Sequence, residues 1–228
     1  RMELIQVIKP AEYFLLLQKD NAEFTKLVNL LTVNETYFMR ERGHFSVLVN
    51  RLFPEFIRNR KGDEKFKILS AGCSSGEELY SALISLTLKF GKEILKIIHA
   101  EGIDIDSEIL ERARRGSYYQ NSFRNVDTYF KDAFFSEQEG NYKINDCFLG
   151  ATIFNKVNLA DSSFSFDSTW NVIFYRNVSI YFLPEIRKEI FSNLVSKEIY
   201  LNLQEDEVEF TDELFKQIYY EIISELNQ

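Results

Sequence analysis

The spacing of apolar residues changes character partway along the chain. Pro10 opens a helical run in which Phe14, Leu17, Phe24, Leu27 and Leu31 recur near one face, predicting a helix over residues 10–31. A second stripe, Phe45, Leu48, Leu52 and Phe56, predicts a helix over 44–60 that Gly62 closes. From residue 66 the period shortens. Phe66 to Gly72 reads as an apolar strand running into a glycine loop, and Glu77 to Phe90 as the helix that follows. Residues 97–104 read as a second strand ending in an acid. Ser107 is expected to cap a helix over 108–115, which Gly116 ends. Two consecutive strand–helix units predict a parallel sheet with helices on both faces. Beyond them, 141–144 and 151–154 read as short strands and 170–175 as a longer one. Residues 184–194 read as a helix, 199–203 as a strand and 211–226 as an acidic helix.

Composition narrows the class. A chain of 228 residues, 45% apolar and 27% charged, can bury the core of one sizeable α/β domain and is not disordered. No apolar run approaches the roughly 20 residues that span a bilayer, so no membrane insertion is expected. The first residues lack the apolar core and small-residue site of a secretion signal. Cys73 and Cys147 have no metal spacing and form no disulfide framework, which fits a reducing, cytoplasmic setting. The net charge of −8 argues against nucleic acid as a partner. It is unevenly spread. Residues 197–228 hold nine acids and two lysines, a net −7, whereas 40–67 hold eight basic and four acidic residues, a net +4. That basic stretch suits an acidic peptide or a carboxylate.

The candidate chemistry collects at strand ends, where open parallel sheets bind ligands. Three such ends are polar: the loop Gly72-Cys73-Ser74-Ser75-Gly76-Glu77-Glu78, the pair Asp104/Asp106, and Arg176-Asn177. Glycines let the backbone approach a ligand, and an acid at the end of the second strand can accept both hydroxyls of a ribose. The loop is neither G-x-G-x-x-G nor a P-loop, and its two glutamates would repel a pyrophosphate. A nucleoside bearing positive charge fits better, and S-adenosylmethionine is such a molecule. As an alternative, Glu77 and Glu78 are only first-turn helix residues. Asp106 reads as a helix-entry acid, and His44 and His99 have no partners at catalytic spacing.

Four ordered segments then carry a resemblance. They are Asn34-Glu35-Thr36-Tyr37-Phe38-Met39-Arg40, Ser70 to Ser81, Asp104 to Leu110, and Ile173 to Phe182, with the weaker Phe154 to Leu159 between the last two. Together they resemble the CheR-type chemotaxis receptor methyltransferases, which move a methyl group from S-adenosylmethionine to receptor glutamates. The resemblance implies a Rossmann-like α/β methyltransferase sheet, a short N-terminal helical region over 1–62, a methyltransferase domain over 63–228, and a reduced antiparallel β insertion over about 117–157. It implies that Asn34, Thr36 and Arg40 lie over the cofactor beside the methyl group. Gly72 belongs to the cofactor loop. Glu78, with Glu77 as a second candidate, meets the methionine portion, and Asp104 meets the ribose. Asn158 and Leu159 flank the adenine, Arg176 and Asn177 lie under the sulfonium, and Tyr181 stands near the reacting centre with Arg40. The implied partner is a chemotaxis receptor or similar signalling protein, with no metal. About 33 residues precede Asn34, fewer than the family carries there, and the glycines the family has after Leu194 are missing. These departures favour an alternative: a regulatory module that binds S-adenosylmethionine or S-adenosylhomocysteine without catalysis.

Overall fold

The computed structural model describes residues 1–32, 34–161 and 169–195; the strand expected over 199–203 and the helix expected over 211–226 lie outside them. Helices α1 (Pro10–Lys19) and α2 (Asn21–Leu31) replace the single helix expected over 10–31. Asp20 divides them. Its backbone is extended, and its carboxylate accepts the amides of Ala22 and Glu23 as the N-cap of α2. The stretch expected over 44–60 runs as α3 (Arg42–Val47), a π-helical turn (Leu48–Leu52) and α4 (Phe53–Asn59). Pro54 explains the wide turn. Its ring has no N–H to give to the carbonyl four residues back and crowds that carbonyl, and a π turn relieves the clash.

The strand–helix alternation follows. It comprises β1 (Phe66–Ala71), α5 (Glu77–Phe90), β2 (Ile98–Asp104), α6 (Ser107–Arg115) and β3 (Ser117–Tyr118). Then come α7 (Thr128–Phe134), β4 (Phe135–Gln138), β5 (Asn141–Ile144), α8 (Asp146–Leu149) and β6 (Thr152–Lys156), before β7 (Val172–Phe174) and α9 (Pro184–Val195). The cap of α6 is Asp106, which accepts from the amides of Glu108 and Ile109, so Ser107 is its first helical residue rather than its cap.

Two sheets result. The larger is parallel throughout, in the order β6-β2-β1-β7. The smaller is antiparallel, β3-β5-β4. Residues 151–154, expected to fall within the insertion over about 117–157, instead fall at β6, which pairs with β2 on the edge of the parallel sheet. Alternation along the strands sorts side chains into two cores. Ile68, Ala100, Phe154, Val172 and Phe174 face α5, α6 and the insertion, together with Phe45, Leu48 and Phe53 from the helices before β1. Leu69, Ala71, Ile103, Ile173 and Tyr175 face α9 through Ile190 and Leu194. Helices therefore cover both faces, as the sequence pattern predicts. The chain builds outward from β1 to β2 and β6, then returns to the other side of β1 with β7. That reversal opens a crevice at the carboxyl ends of the strands.

Candidate cofactor site

A cavity of about 320 Å³ occupies that crevice, within the roughly 300–1,000 Å³ typical of small-molecule sites. All eleven residues expected from sequence line it: Asn34, Thr36, Arg40, Gly72, Glu78, Asp104, Asn158, Leu159, Arg176, Asn177 and Tyr181. Each parallel strand delivers some of them just past its carboxyl end, and the strap between α2 and α3 roofs the cavity with Asn34, Thr36 and Arg40.

Gly72 sits at the tip of β1 with φ +82°, and a Cβ there would lie 2.7 Å from Val178 Cγ2. The loop therefore needs glycine both for its left-handed backbone and for its closeness to the residues after β7. Ser74 and Asn177, also at the cavity, hold φ of +49° and +56°. Non-glycine residues in this region mark backbone that the surroundings hold against its preference.

Asp104 ends β2, 8% exposed. Its Oδ2 accepts the amide of Ser74 at 2.8 Å and its Oδ1 the amide of Asp106 at 3.0 Å. Burial raises its pKa, and the backbone amides partly offset that rise. Each oxygen accepts one backbone amide and keeps a lone pair for a further donor. Glu78 is the second residue of α5. Ser70 Oγ donates to it at 2.7 Å and Arg176 Nη1 stands 3.3 Å away. Burial raises its pKa, while Arg176 and Ser70 oppose the rise. Glu77 points elsewhere. It accepts from Ser75 Oγ at 2.6 Å and Ser122 Oγ at 3.0 Å beneath the insertion and does not line the cavity. Adjacent helix positions differ by about 100°, so only one of the two acids can face the crevice.

Arg176 carries a buried guanidinium at the end of β7. It pairs with Glu78 and, at 2.9 Å, with Glu41, yet its Nε and Nη1 make no hydrogen bond among the described residues. Arg40 is held over the cavity by the Glu35 carbonyl, to which Nη1 donates at 3.0 Å, and stands over the Tyr37 ring. Asn34 donates to Asp106 at 2.8 Å, and Thr32 donates to the same oxygen at 2.9 Å. Tyr181, 55% exposed, stands at the mouth. Thr32, Phe45, Cys73 and Phe182 also line the cavity and were not foreseen as site residues. Phe182 and Cys73 read as plain core side chains in the sequence, and nothing in their spacing distinguishes them. Burial pushes the Cys73 thiol well above its ordinary pKa, which suits a packing role. Among the described residues no His/Cys/Asp/Glu cluster has metal-binding geometry.

These features test a fit to S-adenosylmethionine. Orphaned N–H groups on Arg176 suit an α-carboxylate, Glu78 an ammonium, and Asp104 a diol. A parallel sheet with its switch-point cavity, a glycine loop after the first strand and an acid ending the second define the class of S-adenosylmethionine-dependent methyltransferase domains. Comparison with known proteins gives the particular family: the chain belongs to the CheR methyltransferases, whose SAM binding domain pattern matches residues 34–216. It is 33% identical to a chemotaxis protein methyltransferase of Borreliella burgdorferi over 83% of this chain and 70% of that one. It is 34% identical to chemotaxis protein methyltransferase 2 of Vibrio cholerae over 80% of this chain and 64% of that one. The chemotaxis protein methyltransferase of Salmonella typhimurium is 31% identical over 78% of this chain and 60% of its own length. The chain thus spans about two thirds of the curated relatives it matches.

Proposed function

We propose that this protein transfers a methyl group from S-adenosylmethionine to glutamate side chains of a chemotaxis-receptor-like signalling protein. The observation that carries the reading is the convergence of Asp104, Glu78, Arg176 and Arg40 on one cavity at the switch point of the sheet. Bound there, S-adenosylmethionine would supply a methyl group activated by a positively charged sulfur. Asp104 would hold the ribose hydroxyls, and Asn158 and Leu159 would flank the adenine. Glu78 would take the ammonium and Arg176 the carboxylate of the methionine portion, with Gly72 and Asn177 giving close backbone approach. Asn34, Thr36 and Arg40 would lie above.

The acceptor chemistry follows from charge. A glutamate has a reference pKa of about 4.3 and is already an anion at neutral pH, so the chain need not supply a general base. The chain's task is to desolvate that carboxylate and align it. Arg40 offers a planar, permanently charged fork at the cavity roof, and Tyr181 a single hydroxyl donor at the mouth. Alignment of reacting groups is worth several kcal/mol, up to about 7–11 in the most favourable cases. Arg40 at the cavity offers an acidic protein segment a positive partner.

Incubation with S-[methyl-³H]adenosylmethionine and a receptor cytoplasmic fragment tests this. A methyl ester on a carboxylate releases volatile methanol in mild alkali, whereas methylated nitrogen does not. Base-labile label on the fragment is expected. Binding of S-adenosylhomocysteine with no label on any carboxylate-bearing protein would leave only the binding-module reading.

A further inference from the structure

Arg40 is bracketed by two non-glycine residues in the left-handed region, Met39 with φ +57° and Glu41 with φ +55°. Such backbone persists only where the surroundings hold it, and it clusters where a side chain must be presented. Side-chain contacts on both sides hold it. Ser81 Oγ accepts the Met39 amide at 2.9 Å, and Asn125 Nδ2 donates to the Met39 carbonyl at 2.7 Å. On the other side the Glu41 carboxylate reaches the buried Arg176 at 2.9 Å, and Arg176 Nη2 also donates to the Arg40 carbonyl at 3.4 Å. Glu41 stands 3.8 Å from Arg40 Nε as well. His44, 3.5 Å from Glu41, is buried and neutral at ordinary pH, so it does not compete as a cation.

These contacts form a line of alternating charge. Glu78, Arg176, Glu41 and Arg40 follow one another from the floor of the cavity to its roof. The strap carrying Arg40 is also pinned at its other end, where Asp106 holds Thr32 and Asn34. Glu35 and Tyr37 hold the Arg40 side chain from the N-terminal side, and Glu41 holds it from the C-terminal side. Glu41 does not line the cavity, so it acts through its neighbours.

We propose that Glu41 is a positioning residue: it clasps the strap to Arg176 and thereby sets the Arg40 guanidinium over the reacting centre. The inference rests on the methyltransferase reading for its kinetic consequence but not for its structural one. In Glu41→Gln the backbone and volume stay while the charge goes. The turnover of methyl transfer is expected to fall about tenfold or more while the affinity for S-adenosylhomocysteine stays within about threefold. Glu41→Asp should recover part of the loss. In an Arg40→Ala background Glu41→Gln should cost nothing further, because both act through one group. A parallel loss of S-adenosylhomocysteine affinity, or losses that multiply in the double variant, would overturn the clasp.

A readout without turnover keeps the two readings apart. In ¹⁵N-arginine-labelled protein, the Arg40 Nε–H signal, assigned by its loss in Arg40→Ala, should lose order in Glu41→Gln. An unchanged order parameter would overturn the clasp even if methyl transfer is robust. A wild-type protein that methylates nothing, with Arg40 nonetheless released by Glu41→Gln, would sink the methyltransferase reading and leave the clasp standing.

Discussion

Asp104 shows how one side chain divides its work. It accepts two backbone amides at the β2 end and retains lone pairs facing the cavity. Asp104→Asn keeps acceptor capacity for one amide and loses the charge. S-adenosylhomocysteine affinity should fall about 30-fold, about 2 kcal/mol, in calorimetry. Unchanged affinity would remove the ribose assignment. Arg40 predicts the opposite split. Its fork stands over the cavity and Arg40→Ala should lower methyl transfer about 100-fold while shifting cofactor affinity no more than about threefold. Equal losses in a methylation assay and in calorimetry would contradict that division. His44 gives a pH signature. Burial and the neighbouring Arg176 push its pKa down to about 3. The folded protein therefore prefers the neutral ring. Its contribution is complete above the unfolded value near 6.5 and drains as pH falls toward 3. By pH 4 the loss is about 3 kcal/mol. Glu77, Glu78 and Asp104 act with the other sign, since burial raises their pKa values and favours their protonated forms. Urea unfolding of His44→Gln across pH 4–7 isolates the histidine term. The variant should lose less stability on acidification than the wild type, and identical slopes would refute the assignment.

Elements were legible where side-chain period and terminators agreed, and less so where a local contact intervened. β1, α5, β2 and α6 follow the sequence reading to within a residue or two, because each has a strong apolar face and a glycine or acid at its end. The run over 10–31 splits because Asp20 competes for backbone amides, a tendency that its residue type already carries. Strands β3 and β4 carry too little apolar period to be seen, being two and four residues long. The hairpin joining β4 to β5 did leave a mark: Glu139-Gly140, both with positive φ, is the two-residue turn that such a pairing favours. The glycine loop yields the prediction at this scale. Gly72→Ala forces an L residue to φ +82° and drives its Cβ into Val178. A stability loss of about 1–3 kcal/mol is expected in urea denaturation, with weaker S-adenosylhomocysteine binding. A variant as stable and as tight as wild type would show that the loop tolerates a side chain there.

At the scale of the molecule, the order of strands decides what the residues can do. Residues from the strap, the β1 loop, the β2 end, the β6 end and the β7 end are far apart in sequence and meet only because the chain reverses across β1. The eleven candidate residues, proposed from the motifs and the family resemblance, line one cavity. The place of β6 was not legible, since periodicity does not say which sheet a strand joins. Glu41 was equally hidden, because its importance comes from a contact across 135 positions with Arg176. Among the described residues no helix is long and apolar enough to cross a membrane. The crevice at the switch point is the proposed adenosyl site. A crystal structure grown with S-adenosylhomocysteine tests that most directly. Ribose hydroxyls on Asp104, the amino group on Glu78 and the sulfur beneath Arg40 are the predicted result. Adenosyl density elsewhere, or a crevice filled by Leu159, Tyr181 and Phe182 with the ligand excluded, would contradict it.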